Sequence, residues 1–130
     1  MRKKFKGFAL IEVIIVVILV SGSFLVFLEA LNQTKKLQVR AEIISKQTMV
    51  LNQKINQIRA SGFDNVNGIL NYTALNNNSE FQYALNVSFI DKNLDIVNNA
   101  QTDYKLVEVK VRHSSNDYSP IKDIFIMTKK

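Results

Sequence analysis

Between Phe8 and Leu28 the chain is apolar except for Glu12 and the small trio Ser21, Gly22 and Ser23. This run constrains the fold more than any other feature. A helix that crosses the hydrocarbon of a bilayer needs about 20 mostly apolar residues, and this stretch provides them. Val, Ile and Leu crowd positions 13–20 so closely that no polar face is left for a soluble surface helix. The residues before it, Met1 to Gly7, contain Arg2, Lys3, Lys4 and Lys6 and no acid. Cations on that flank keep the N-terminus cytoplasmic and place the chain beyond Leu28 on the other side. The formal charge of +6 is therefore misleading as a guide to function. Of the 17 basic residues four precede Gly7, which leaves 13 against 11 acidic residues from Phe8 onward. A basic tag at one end is not the basic face that nucleic-acid binding requires, so no nucleic acid is expected as a partner.

Glu12 is the anomaly within the run. A carboxylate near one end of a spanning segment costs on the order of 2 kcal/mol or more unless it is paired or lies at the interface. The sequence Gly7-Phe8-Ala9-Leu10-Ile11-Glu12-Val13, preceded by lysines and followed by an unbroken apolar tract, resembles the processing site of type IV prepilins and type II secretion pseudopilins. The resemblance covers about the first 28 residues. It implies that a prepilin peptidase cleaves between Gly7 and Phe8 and methylates the new Phe8 amine. It also implies that Glu12 pairs with the terminal amine of a neighbouring subunit, cancelling two buried charges and setting the register between adjacent helices. Two departures from the family are visible. Glu29 stands where many pilins carry a helix-kinking proline, and the only proline is Pro120. Ser21-Gly22-Ser23 is the alternative source of flexibility, because Gly and Ser weaken a helix and let backbones approach. The same trio also fits a secretory signal cleaved to start the mature chain at Phe24, a reading that Glu12 within the apolar core opposes.

Beyond the run, apolar or small residues recur every three or four positions at Phe27, Ala30, Thr34, Leu37, Ala41, Ile44, Thr48, Leu51, Ile55 and Ile58. This predicts that the helix continues as an amphipathic one, with Lys35, Lys36, Arg40, Glu42, Lys46, Lys54 and Arg59 off the stripe. Its expected use from Ile44 to Ile58 is packing on the chain's own C-terminal domain, with a coiled-coil partner as the alternative. Gly62 ends the helix in the left-handed conformation, and Phe63 folds back on the last turn. A helix from Phe8 to Ala60 is about 80 Å long at 1.5 Å per residue.

An Asn-rich loop is expected over residues 63–79. Phe81, Tyr83, Leu85, Val87 and Phe89 then alternate with polar or small residues as a half-buried strand does. Residues 104–112 repeat the pattern, with Val107, Val109 and Val111 on one face and Glu108, Lys110 and Arg112 on the other. A turn over 114–120 leads to a strand over 121–128, and residues 94–97 read as a short additional strand. Few strands with short turns make an antiparallel meander whose apolar face needs the helix as cover. The expected fold is thus α+β and pilin-like: a leader over 1–7, a membrane and filament-core helix over 8–28, its amphipathic continuation over 29–62 and a sheet-containing head over 63–130.

The chain carries little that could do chemistry. It has no cysteine, hence no disulfide, thiolate metal site or cysteine nucleophile. His113, the only histidine, is expected as a solvated residue at a strand end. Asp91-Lys92-Asn93-Leu94-Asp95 has the spaced oxygens of a calcium loop, but Ile96 occupies the glycine position and Thr102 that of the closing glutamate, so an Asn/Asp hairpin loop is the expectation. The sequons at Asn71, Asn77 and Asn86 carry no inference in so Asn-rich a chain. Lys105, Lys110 and Arg112 on one strand are the best local basic patch for DNA.

The resulting expectation is a structural subunit, not an enzyme, with no catalytic residue, metal or cofactor. The resemblance implies a minor pilin of a type IV pilus, with a minor pseudopilin of type II secretion or DNA uptake as the alternative. A single-pass anchor that scaffolds other membrane proteins is the reading from a different class. The implied partners are other pilin subunits, the prepilin peptidase, an assembly platform and the membrane. The implied location is the bacterial inner or cytoplasmic membrane and then an extracytoplasmic filament.

Overall fold

A computed structural model describes residues 8–75, 78–98 and 102–129. The leader residues, Gly7 included, and Asn76 with Asn77 lie outside the described residues. One helix, α1 (Phe8–Ser61), precedes four strands: β1 (Ile69–Leu75), β2 (Asn78–Ile90), β3 (Tyr104–His113) and β4 (Ile121–Thr128). The strands form one antiparallel sheet in the order β1-β2-β3-β4, a meander as the sequence pattern predicts. The chain divides into two compact units, Met1–Val39 and Arg40–Lys130.

The first unit, over its described residues, is helix alone. Two of its hydroxyls bond back to the helix: Ser23 Oγ donates to Leu19 O at 2.8 Å and Thr34 Oγ1 to Ala30 O at 2.8 Å. Such back-bonding lets Ser and Thr sit in an apolar helix without a tertiary partner. The helix continues through Ser21, Gly22 and Ser23 without interruption.

In the second unit the helical segment covers one face of the sheet. Leu51, Ile55 and Ile58 from the helix and Val66 from the following loop join Phe81 and Leu85 of β2, Val107, Val109 and Val111 of β3, and Phe125 and Met127 of β4 in one cluster. The register explains this. Val109 lies opposite Leu85 and Asp123, and Val107 opposite Val87 and Phe125, so the odd positions of β3 share a face with core residues on both neighbours. The three β3 valines are wholly buried. Each contributes on the order of 1.5 to 3 kcal/mol relative to exposure.

The helical stripe is not the predicted one along its length. Ile44 is 44% exposed and Thr48 is exposed, whereas Gln47 is wholly buried and Ile43 packs against the core. The burial runs Ile43, Gln47, Leu51, Ile55, Ile58. Each four-residue step from Ile55 back to Leu51, Gln47 and Ile43 is about 40° more than a full turn at about 100° per residue, so the buried face winds round the helix instead of following the alternating three-four repeat.

Three further boundaries differ from expectation or test it. Residues 63–79, read as a loop, contain the edge strand β1. It is hard to see in the sequence because only Ile69, Tyr72 and Leu75 are half-buried, a spacing of three, and the pairing with β2 breaks register twice. Residues 94–97 are not a strand. A single bridge joins Ile96 to Ile90, because Leu94 takes a φ of 70° and ends any extended run. Ile90 is wholly buried where this loop returns. The helix end is as predicted: Gly62 has a φ of 82°, and Phe63 packs against the core.

The shifted stripe gives a direct test. Ile55→Ala should destabilise the head by about 2 to 5 kcal/mol in denaturant unfolding of the full chain in micelles. Ile44→Ala should stay within about 0.5 kcal/mol. Equal losses would return Ile44 to the core stripe.

Candidate functional site

Glu12 lies one turn into α1, four residues after Phe8. Four residues rise about 6 Å, and helical side chains lean toward the N-terminus, so its carboxylate is carried back over the turn that begins at Phe8. Around it Leu10, Ile11, Val13, Ile14, Ile15 and Val16 are each about half exposed or more. The best 18-residue window of the helix has a mean hydropathy of 2.8, and none of it is buried. Among the described residues no cation pairs with Glu12. The geometry is that of one acid on an uncovered apolar cylinder, close to the helix start. What it offers chemically is a single negative charge for a cation at the level of residue 8, supplied by another chain or by the interface.

The head presents a different use of charge. The three basic residues considered for DNA do not form a patch, because alternation along β3 sends them to opposite faces. Lys105 shares the parity of Val107 and is 5% exposed. Its Nζ donates to Phe63 O at 2.6 Å and Val66 O at 3.2 Å and lies over the rings of Phe63 and Phe89 at 4.5 and 5.4 Å. It therefore fastens the loop after the helix to the sheet. A buried ammonium needs such acceptors, and carbonyls just past a helix C-terminus are well placed to supply them.

Lys110 and Arg112 lie on the other face and are engaged. Lys110 Nζ and Lys122 Nζ reach the two Glu108 oxygens at 3.1 and 3.2 Å. Arg112 Nε donates to Gln82 Oε1 at 2.9 Å, and its guanidinium stacks on the Tyr72 ring at 4.0 Å. The Lys110 ammonium, helped by Lys122, holds the Glu108 carboxyl below its ordinary value of 4.5 against the opposing effect of burial.

His113 is not the solvated residue expected. Its side chain is 14% exposed, edge-on to Phe81 and Tyr118 with centroids at 5.5 and 5.2 Å. Ser115 N donates to Nδ1 at 3.1 Å, which leaves Nε2 to carry the proton toward Glu80 Oε1 at 3.5 Å. The odd-numbered face of β3 simply extends to its last residue.

In the 91–95 loop the Asp91 carboxylate closes the turn. Its Oδ1 accepts from Asn93 N at 2.8 Å and Asp95 N at 2.9 Å, as an Asx turn does. Among the described residues no group of three or more His, Cys, Asp or Glu is arranged to hold a metal.

Two buried polar groups were missed by sequence reasoning. Lys105 was detectable, since it stands two residues before Val107 in the alternation. Gln47 was less legible: it stands four residues before Leu51, the same step that separates Leu51 from Ile55, but next to Thr48 on the predicted stripe. Its Nε2 reaches Ser119 O at 3.5 Å and its Oε1 has no partner among the described residues.

The two kinds of lysine in the head should respond differently to replacement. Lys105→Met should cost about 1 to 3 kcal/mol by leaving carbonyls without their donor, whereas Lys110→Met should cost less than about 1 kcal/mol; thermal unfolding of both variants decides. Because the folded-state value of Glu108 is depressed, its stabilisation is present above about pH 4.5 and is lost as pH falls through the depressed value. The stability gap between the natural chain and Glu108→Gln, below about 1 kcal/mol at neutral pH, should therefore close as acidification takes the pH below 4.5 and through the depressed value.

Comparison with known protein families, with curated proteins and with solved structures gave no match.

Proposed function

We propose that the chain is a structural subunit of a type IV pilus-like filament, in the first instance a minor pilin. In this reading it is stored in the membrane by its N-terminal helix, processed after Gly7, and assembled by helix packing. The observation that carries the reading is Glu12: a lone carboxylate, without a partner among the described residues, five positions past a Gly-Phe junction on an uncovered apolar helix. An apolar cylinder of this kind requires either lipid or other helices around it. A charge on it requires a partner that arrives with those surroundings. Cleavage between Gly7 and Phe8 creates such a partner, a new amine one turn from Glu12 on a neighbouring copy. The sheet and the helical segment that covers it form the C-terminal head. The absence of the usual proline at Glu29 and the small head favour a minor over a major subunit.

The experiment compares the natural chain with Glu12→Ala in cells that carry the assembly machinery. Intact mass should show a methylated Phe8 terminus for both, while Glu12→Ala should fall at least severalfold in sheared filament fractions. A mature terminus at Phe24 would sink the processing assignment, and normal incorporation of Glu12→Ala would remove the role given to the carboxylate.

A further inference from the structure

Lys35 and Lys36 are exposed on α1 shortly after the apolar run, and the helix offers neither of them a carboxylate. The positions three and four residues away hold Leu31, Asn32, Gln33, Gln38, Val39 and Arg40, none of them acidic. The nearest helical acids are committed elsewhere: Glu29 Oε1 accepts from Gln33 Nε2 at 3.3 Å, and Glu42 pairs with Lys46 at 2.9 Å. Two adjacent ammonium groups are thus left without an intrahelical counter-ion. At 100° per residue both fall on the side of the helix away from the stripe of Ala30, Thr34 and Leu37, so packing along that stripe leaves them uncovered.

We propose that Lys35 and Lys36 seat the phosphate of an anionic lipid in the leaflet that the helix enters last. The inference rests on the reading of residues 8–28 as the membrane span. Lys35 and Lys36 stand seven and eight residues past Leu28, about 10 and 12 Å farther along the axis. Their side chains lean back toward the N-terminus, that is, toward the bilayer, and long lysine stems extend that reach by several ångströms. Both ammonium groups therefore lie about 5 to 7 Å beyond the hydrocarbon, within the headgroup layer, whose depth is about that on each side. Each lysine at an anionic surface favours binding about fivefold, so the pair gives a preference of roughly 25-fold. For a subunit that waits in the membrane, such a seat fixes the depth of the span and adds a salt-sensitive cost to extraction.

The test uses the full chain in neutral-detergent micelles at low salt. Phosphatidylglycerol and phosphatidylcholine are supplied in equal amounts, and retained lipid is counted by native mass spectrometry. Phosphatidylglycerol should be retained roughly 25-fold over phosphatidylcholine. Lys35→Gln with Lys36→Gln should remove most of that preference, whereas Lys46→Gln, at an ion-paired site farther from the span, should preserve it. Because the leader lysines are present in every variant, the difference reports on Lys35 and Lys36. Unchanged retention in the double variant would overturn the proposal, as would displacement of the lipid by millimolar inorganic phosphate, which would make the site one for free anions. Insertion into neutral vesicles, checked by resistance to alkaline carbonate, separates the two readings: a chain that fails to insert refutes the membrane span itself, and one that inserts without lipid preference refutes only the lipid seat.

Discussion

The head depends on one packing interaction, the seating of Leu51, Ile55 and Ile58 against the valine face of β3. Neither side is stable without the other. A four-stranded meander with one apolar face must bury it, and a helix gains most of its stability in a folded protein from packing one face rather than from its own propensity. The remaining features of the head depend on that contact. Gly62 turns the chain off the helix, Phe63 and Val66 close the near end of the core, and Lys105 bonds the carbonyls of that turn. β2 and β4 are held in register because a slip of one residue would turn Leu85 and Phe125 out of the core.

The N-terminal unit stands under the opposite condition. Its helix is as apolar as a core element, yet nothing among the described residues covers it between Leu10 and Leu28. In water this surface would be an aggregation hazard, and the helix is long and apolar enough to cross a membrane. Lipid and neighbouring helices both provide cover, which is why storage in a membrane and assembly into a filament are compatible uses of one element. In the proposed filament Glu12 would discriminate between the two, because lipid tails offer it no cation while a neighbour cleaved after Gly7 would.

The fold class was legible because its signals are periodic and strong: the apolar run, the alternation in residues 81–89 and 104–112, and the Gly62 stop. What escaped was weakly periodic or polar. β1 is an edge strand with few buried residues and two register breaks, so it lacks the alternation that marked β2 and β3. Gln47 and Lys105 are polar residues in core positions, and a reading that treats polarity as exposure passes over both. For the site, the position of Glu12 was legible, whereas the dispersal of Lys105, Lys110 and Arg112 over two faces required only that the parity rule be applied to the lysines as it had been to the valines. His113 was misplaced for the same reason.

Lys105 and Glu12 are two charges set in apolar surroundings, and they differ in how the charge is balanced. Lys105 is satisfied within its own chain by two carbonyls and two aromatic rings. That makes it a fastener, since every partner is present once the head has folded. Glu12 has no such arrangement among the described residues. A buried or lipid-facing acid left unpaired is unfavourable, so its charge is balanced either at the membrane interface or, in the proposed filament, by pairing between chains after folding. The same electrostatic cost therefore yields stability at Lys105 and, in the proposed filament, a requirement for assembly at Glu12.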